Sequence, residues 1–211
     1  IRRQRQMCIE TDYALNKGYT VCWDGDVSEQ GFSFKNGIAI NPQVEDVKDY
    51  STTDRARFEK MPKYQRMDEV FKFEHPYPEI NVTPEIRQDG YEKFVTTDDH
   101  LMHITGIVKD QNGTKYYITK NSWGAESNKS GGYLNMSESY VRAKTICVMV
   151  HKDSLPKELK KKLGINKSHE ISPEGRLTVS YIYLFGTLHY IHITKEIGQR
   201  SITTSLPYFF C

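Results

Sequence analysis

Apolar residues recur along this 211-residue chain with two different periods, and the change of period marks out the elements. Ile9 and Tyr13, four apart, and Cys8 and Leu15, seven apart, predict a helix over residues 4–17 that Gly18 stops. Tyr19–Trp23 has strand composition, and Asp24-Gly25-Asp26 reads as a turn. Two short strands follow, at residues 31–34 and 37–40, around Lys35-Asn36. Residues 44–76 are densely charged. Tyr64, Met67 and Phe71 keep a helical spacing there after a break at Pro62, and a solvated helix or insertion is expected. Thr83-Pro84-Glu85 is a helix start, with a capping hydroxyl, a proline at the first position and an acid near the positive pole. Gly90 is expected to end that helix.

A hairpin comes next. Residues 100–109 form one strand and 116–120 the other, around Asp110-Gln111-Asn112-Gly113. A two-residue turn at Asn112-Gly113 would place Asn121 opposite Ile104, too far from His100 for contact. A type I turn with a bulge at Gly113 brings the two closer, so the sequence permits a His100–Asn121 contact without fixing it. Residues 131–134 and 145–150 predict two more strands, the second nearly all apolar and therefore buried. A basic run, Lys157 to Lys162, leads to Gly164.

Beyond Gly164 the character changes. Leu177 to Thr194 contains no Asp, Glu, Lys or Arg. It is marginal as a membrane-spanning helix, because Gly186 and two histidines interrupt it. Its β-branched and aromatic residues read more naturally as two strands broken near Phe185-Gly186. A third reading makes the tail foreign to the preceding domain. Residues 1–164 are taken as one unit and 165–211 as a tail of unknown origin.

Net charge is only +2, with both signs interleaved, which gives no electrostatic case for nucleic acid or membrane binding. Cys8, Cys22, Cys147 and Cys211 lie far apart without paired spacing, so neither a metal site nor a disulfide framework is indicated. No cofactor is called for. Asn-x-Ser/Thr triplets at Asn81 and Asn128 carry no weight without a secretory signal. The chain opens on Ile1 and Arg2-Arg3-Gln4-Arg5, as if within a helix; a processed terminus and a missing N-terminal part both explain this, and the second is preferred.

The chemistry gathers around the hairpin. A histidine and an asparagine are the proton-holding and orienting members of a Cys-His-Asn triad, since an amide oxygen fixes an imidazole without adding charge. Trp123, two residues after Asn121, could cover that hydrogen bond from water. His103, three residues from His100 in a strand, points to the other face and reads as structural. Asp98 and Asp99 read as a solvated turn. Cys22 lies in strand-like surroundings. A reactive thiolate needs a helix N-terminus or a similar positive setting, so Cys22 reads as a small buried residue.

Lys120-Asn121-Ser122-Trp123-Gly124 resembles the asparagine motif of papain-like cysteine peptidases. Thr97–Met102 and Gly132–Ser137 look like the aminopeptidase C and bleomycin hydrolase branch. So do Tyr19-Thr20-Val21, Asp26-Val27-Ser28-Glu29, Gly31-Phe32 and the segment from Val148 to Pro156. The resemblance covers about residues 8–164. It implies an α+β papain-like fold, of which this chain holds the strand-rich half-domain, with the helical, nucleophile-bearing half missing. It implies that His100 and Asn121 are catalytic, that Trp123 shields them, and that the chain itself supplies no nucleophile. The activity implied is cysteine-type aminopeptidase cleavage of peptides; an inactive remnant acting as a binding or regulatory module is the alternative. A hexameric assembly and a cytoplasmic setting come with the same resemblance.

Overall fold

The computed structural model describes residues 8–162 in full, and residues 177–185 and 190–197 as backbone. Nine strands form one sheet in the order β2-β3-β6-β5-β4-β1-β7-β8-β9. They are β1 Val21–Gly25, β2 Phe32–Ser33, β3 Ile38–Ala39, β4 His100–Lys109, β5 Lys115–Lys120, β6 Tyr133–Ser137, β7 Thr145–His151, β8 Leu177–Phe185 and β9 Tyr190–Ile197. All pairings are antiparallel except β3 with β6. The helices are α1 Cys8–Asn16, α2 Thr52–Phe58, α3 Lys63–Val70, α4 Pro84–Glu92, α5 Glu138–Lys144 and α6 Lys157–Lys162. The fold is mixed α+β, as the sequence reading expects.

Side chains alternate across a strand, so the sheet has two distinct faces. One buries Val21, Trp23, Met102, Ile104 and Tyr117 against α1 and α5. The indole of Trp23 is fully buried, and its Nε1 donates to Thr145 Oγ1 at 2.7 Å. The other face, at the β3-β6-β5 end, carries Tyr116 and Ile38 and is covered by the charged segment. Phe58 and Val70 are fully buried there, with Tyr50 and Val47. The expectation of a merely solvated insertion is thus corrected: α2 and α3 fold over a second small core. Tyr64 is exposed, so the helical spacing first noticed is not the buried stripe. Burial selected the apolar residues nearest the sheet, which spacing within one helix does not reveal.

Four other boundaries move. In α1 the buried positions are Cys8, Glu10, Thr11 and Ala14, while Ile9 is exposed. Asp24 and Gly25 belong to β1 rather than to a turn, because β4 and β7 pair with them on either side. Gly90 lies inside α4, which runs on to Glu92. Its carbonyl accepts from the N–H groups of both Val95 and Thr96, folding the chain back after the helix. α5, which no spacing announced, starts where Ser137 Oγ accepts from Tyr140 N–H at 3.0 Å.

Arg87 ties α4 to α5. Its buried guanidinium donates to the carbonyls of Arg142, at 2.8 Å, and Thr145. Those carbonyls close α5 and carry partial negative charge. Burial pushes the Arg87 pKa down to about 10.

β8 and β9 extend the sheet. β8 pairs with β7 over five registered positions, and β9 completes a hairpin with β8. The two-strand reading of this stretch agrees with the backbone. Among the described residues no helix is long and apolar enough to cross a membrane.

Candidate active site

His100 opens β4 and lies opposite Gly25, the last residue of β1. Asn121 directly follows β5 and is almost wholly buried. The register that brings them together has two sources. The hairpin loop spans residues 110–114, closed by Lys109 opposite Lys115, with Gly113 at φ +83° and Asp110 Oδ1 accepting from the N–H groups of Asn112 and Thr114. A second irregularity lies at Thr105, between Ile104 and Gly106, and shifts the pairing so that His103 opposes Lys120. Continued one step, that register sets Asn121 opposite Met102, on the face that His100 shares. The bulge expected at Gly113 is therefore only part of the answer.

The pair is bonded: His100 Nε2 lies 2.9 Å from Asn121 Oδ1. That oxygen also accepts from Ser122 N–H at 2.7 Å. A backbone N–H can only donate, so the amide orientation is fixed and Nε2 must carry the ring proton. Nδ1 is left with its lone pair as the nitrogen able to take a proton from a reactant. Trp123 packs over the imidazole, ring centroids 5.0 Å apart. Phe34 and Phe32 hold the indole edge-on at 5.0 and 6.2 Å. Trp123 remains half exposed, so it covers the hydrogen bond while leaving one side of the site open. The supporting phenylalanines were missed as site residues; Gly31-Phe32 was noticed only as part of a wider likeness.

Gly25 is required beneath His100. A Cβ there would run into the Lys144 carbonyl and the ring of Trp23. No larger residue fits between the indole and the Lys144 carbonyl.

The cysteines lie elsewhere. Cys22 sits in β1 opposite His103, three residues from the Gly25–His100 pair, or about 10 Å along the strand. It also points to the other face. Burial, with the nearby Asp24 carboxylate adding to it, pushes its thiol pKa up, the reverse of an activated nucleophile. Cys147 shares the Asp24 face, and its Sγ donates to Asp24 Oδ2 at 3.3 Å. Cys8 lies in the core beside Tyr117, at the far end of the sheet, with its pKa also raised by burial. Cys211 is outside the described residues. His103 Nε2 lies 2.8 Å from Thr20 Oγ1 on the exposed face, away from the pair. Among the described residues no group of His, Cys, Asp and Glu is arranged to hold a metal.

Asp98 and Asp99 are not simply solvated. Asp24 is buried, and burial, then a hydrogen bond and charge from Asp98, push its pKa up from 3.8 to about 7. Between roughly pH 4 and pH 7 the folded chain therefore holds a proton that the unfolded chain has released. This contribution to stability is complete below pH 4 and is lost as pH rises through 7. Asp24→Asn keeps an acceptor for Cys147 and removes the titration. It is expected to stabilise the chain above pH 7 by about 1–3 kcal/mol. Urea midpoints at pH 5 and pH 8 check this; an unchanged difference between them in the variant refutes it.

Residues 69–172 match the model of the Peptidase C1-like family. Aminopeptidase C of Lactobacillus helveticus is 37% identical over 89 residues, 39% of this chain and 19% of that protein. Fruit bromelain of Ananas comosus is 36% identical over 52 residues, 25% of this chain and 14% of that protein. The chain thus spans less than a fifth of the length of either relative. The crystal structure of PepW from Lactobacillus rhamnosis aligns over 75% of this chain and 28% of its own, at 18% identity and a TM-score of 0.46. The bromelain structure aligns over 68% and 44%, at 17% identity and a TM-score of 0.32. On the family model and the aminopeptidase C match, residues 69–172 of this chain are similar to the Peptidase C1-like family, and the wider likeness is to papain-like cysteine peptidases.

Proposed function

We propose that this chain carries the histidine–asparagine half of a cysteine-type aminopeptidase site and that its nucleophile comes from outside the described residues. The observation that carries this reading is the 2.9 Å contact between His100 Nε2 and Asn121 Oδ1 beneath Trp123, which leaves Nδ1 for proton exchange. In the reaction, a thiol gives its proton to Nδ1 and the thiolate attacks the peptide carbonyl. The imidazolium returns the proton to the leaving amine, giving an acyl thioester. Water then adds to the thioester with His100 as base, and the thiol is regenerated. Asn121 holds the ring plane through both steps, and Trp123 limits competition from water for the hydrogen bond.

The preference for free amino ends, the cytoplasmic setting and a hexameric assembly belong to a longer protein than this chain and rest on the likeness to aminopeptidase C. A second reading, a module that binds or regulates without turnover, is favoured by one observation: the described cysteines lie on the other face from His100 or at the far end of the sheet.

One experiment separates the readings. The chain alone is incubated with an aminoacyl fluorogenic substrate and with an epoxide thiol trap. Expected are no turnover and labelling of Cys22 no faster than a free thiol. Burst labelling at Cys22 together with turnover would overturn the assignment of the nucleophile to another segment.

A further inference from the structure

The residues just ahead of His100 are clasped to the end of β1 by two carboxylates facing opposite ways. Asp99 Oδ1, from the β4 side, accepts from Val27 N–H at 2.9 Å. Asp26, from the β1 side, accepts from Thr97 N–H at 3.0 Å. Asp26 is fully buried and also accepts from Ser28 N–H at 2.8 Å and Ser28 Oγ at 2.6 Å. Lys144 Nζ, at the end of α5, lies 3.7 Å from Asp26 and also binds Glu29 and the Val95 carbonyl, the latter at 3.0 Å. The backbone joins in: Asp26 N–H donates to the Lys144 carbonyl at 3.1 Å, and Tyr140 OH donates to the Asp26 carbonyl at 2.8 Å.

One carboxylate therefore touches three segments: its own loop, the approach to β4 and the end of α5. His100 is the next residue but two after Thr97, and it opposes Gly25, the residue before Asp26. We infer that Asp26 is the positioning residue for His100, holding the start of β4 so that the imidazole meets Asn121. The inference rests on the reading of His100 and Asn121 as the acid–base pair. Asp26 touches neither substrate nor imidazole; it acts through Thr97 and the Gly25–His100 pairing. Asp26 has a like-charged neighbour, Asp99, whose pKa is pushed up by burial and by Asp26. Burial alone would raise the Asp26 pKa, but the Ser28 and Thr97 donors and the Lys144 charge outweigh it, so the carboxyl is held below its usual range.

The test uses the full chain and reads the histidine ring, not turnover. Long-range 1H–15N NMR reports which nitrogen of His100 is protonated, and Nε2–H exchange with solvent reports its hydrogen bond. In the unaltered chain the proton is expected on Nε2 alone. In Asp26→Ala a mixture of tautomers is expected, with Nε2–H exchange faster by about tenfold, the factor for losing one ordinary hydrogen bond. Asp26→Asn keeps an acceptor for Thr97 but not the charge facing Lys144, and is expected to fall between. The control is Asp12→Ala, which removes the carboxylate that accepts from Lys115 and Tyr117 at the other end of the sheet, at 2.6 and 2.7 Å, and leaves Lys115 its pairing with Glu138 at 3.1 Å. It is expected to lower stability and leave the His100 signals alone.

Equal effects of Asp26→Ala and Asp12→Ala on His100 overturn the inference, as does an unchanged ring in Asp26→Ala. If Asp26→Ala does not fold, the asparagine variant decides: an unchanged tautomer and exchange rate there refute it. Failure of the peptidase reading is a separate result, seen as full turnover of an assembled enzyme carrying His100→Ala.

Discussion

Replacing Trp23 by alanine is expected to cost about 3–5 kcal/mol of folding stability, the range for deleting a buried indole. Three effects combine. The side chain is wholly buried in the larger core, so its removal leaves a cavity between β1, β4 and β7. Thr145 Oγ1 loses the indole N–H that it accepts, although it still donates to the Val141 carbonyl at 2.5 Å. The ring also packs against Gly25, the residue that pairs with His100, so its loss loosens the end of β1 as well as the core. For a chain of this size the melting temperature should fall by roughly 10–15 °C. Thermal unfolding followed by circular dichroism measures it. A fall of only two or three degrees would mean that neighbouring side chains fill the space.

The second large effect is expected at Asn121. Asn121→Ala removes the acceptor from His100 Nε2 and from Ser122 N–H together. Losing two hydrogen bonds at a buried position should cost about 1–3 kcal/mol. The functional consequence is sharper than the energetic one. Without the amide oxygen nothing fixes the proton on Nε2, so the ring can turn and Nδ1 no longer points consistently at a thiol. In an assembled enzyme, kcat/KM should fall by about two to four orders of magnitude, the range for an acid–base group out of place. In this chain alone the check is the His100 tautomer by NMR. A ring still held with the proton on Nε2 in Asn121→Ala would remove the orienting role from Asn121.

Much of this was legible in residue types. Helix α4 was announced by Thr83 and Pro84, and the structure shows Thr83 Oγ1 accepting from Ile86 N–H. The hairpin was announced by Asn112-Gly113 between two apolar runs. His100, Asn121 and Trp123 stand out by residue type together with the family likeness, and the structure brings His100 against both Asn121 and Trp123. The register was harder. Gly106 is the only local mark of the shift at Thr105, and a lone glycine in a strand has several causes. The second core was missed because charged residues dominate residues 44–76, while the residues that bury there, Phe58 and Val70, stand twelve apart in different helices.

The residues alone determined most of the order of elements, α5 excepted, because period and turn chemistry are properties of neighbouring residues; the α+β class and the roles expected of the pair came with the family likeness. Only the tertiary structure decided which face each strand residue occupies, and so that Cys22 and His100 point apart. It also decided that Asp26 reaches Thr97, seventy-one residues away. Pairing register depends on bulges and loop geometry, and one residue of slip reverses every face in a strand. A contact that closes across so many residues is set by how the sheet assembles, not by any local preference of the chain.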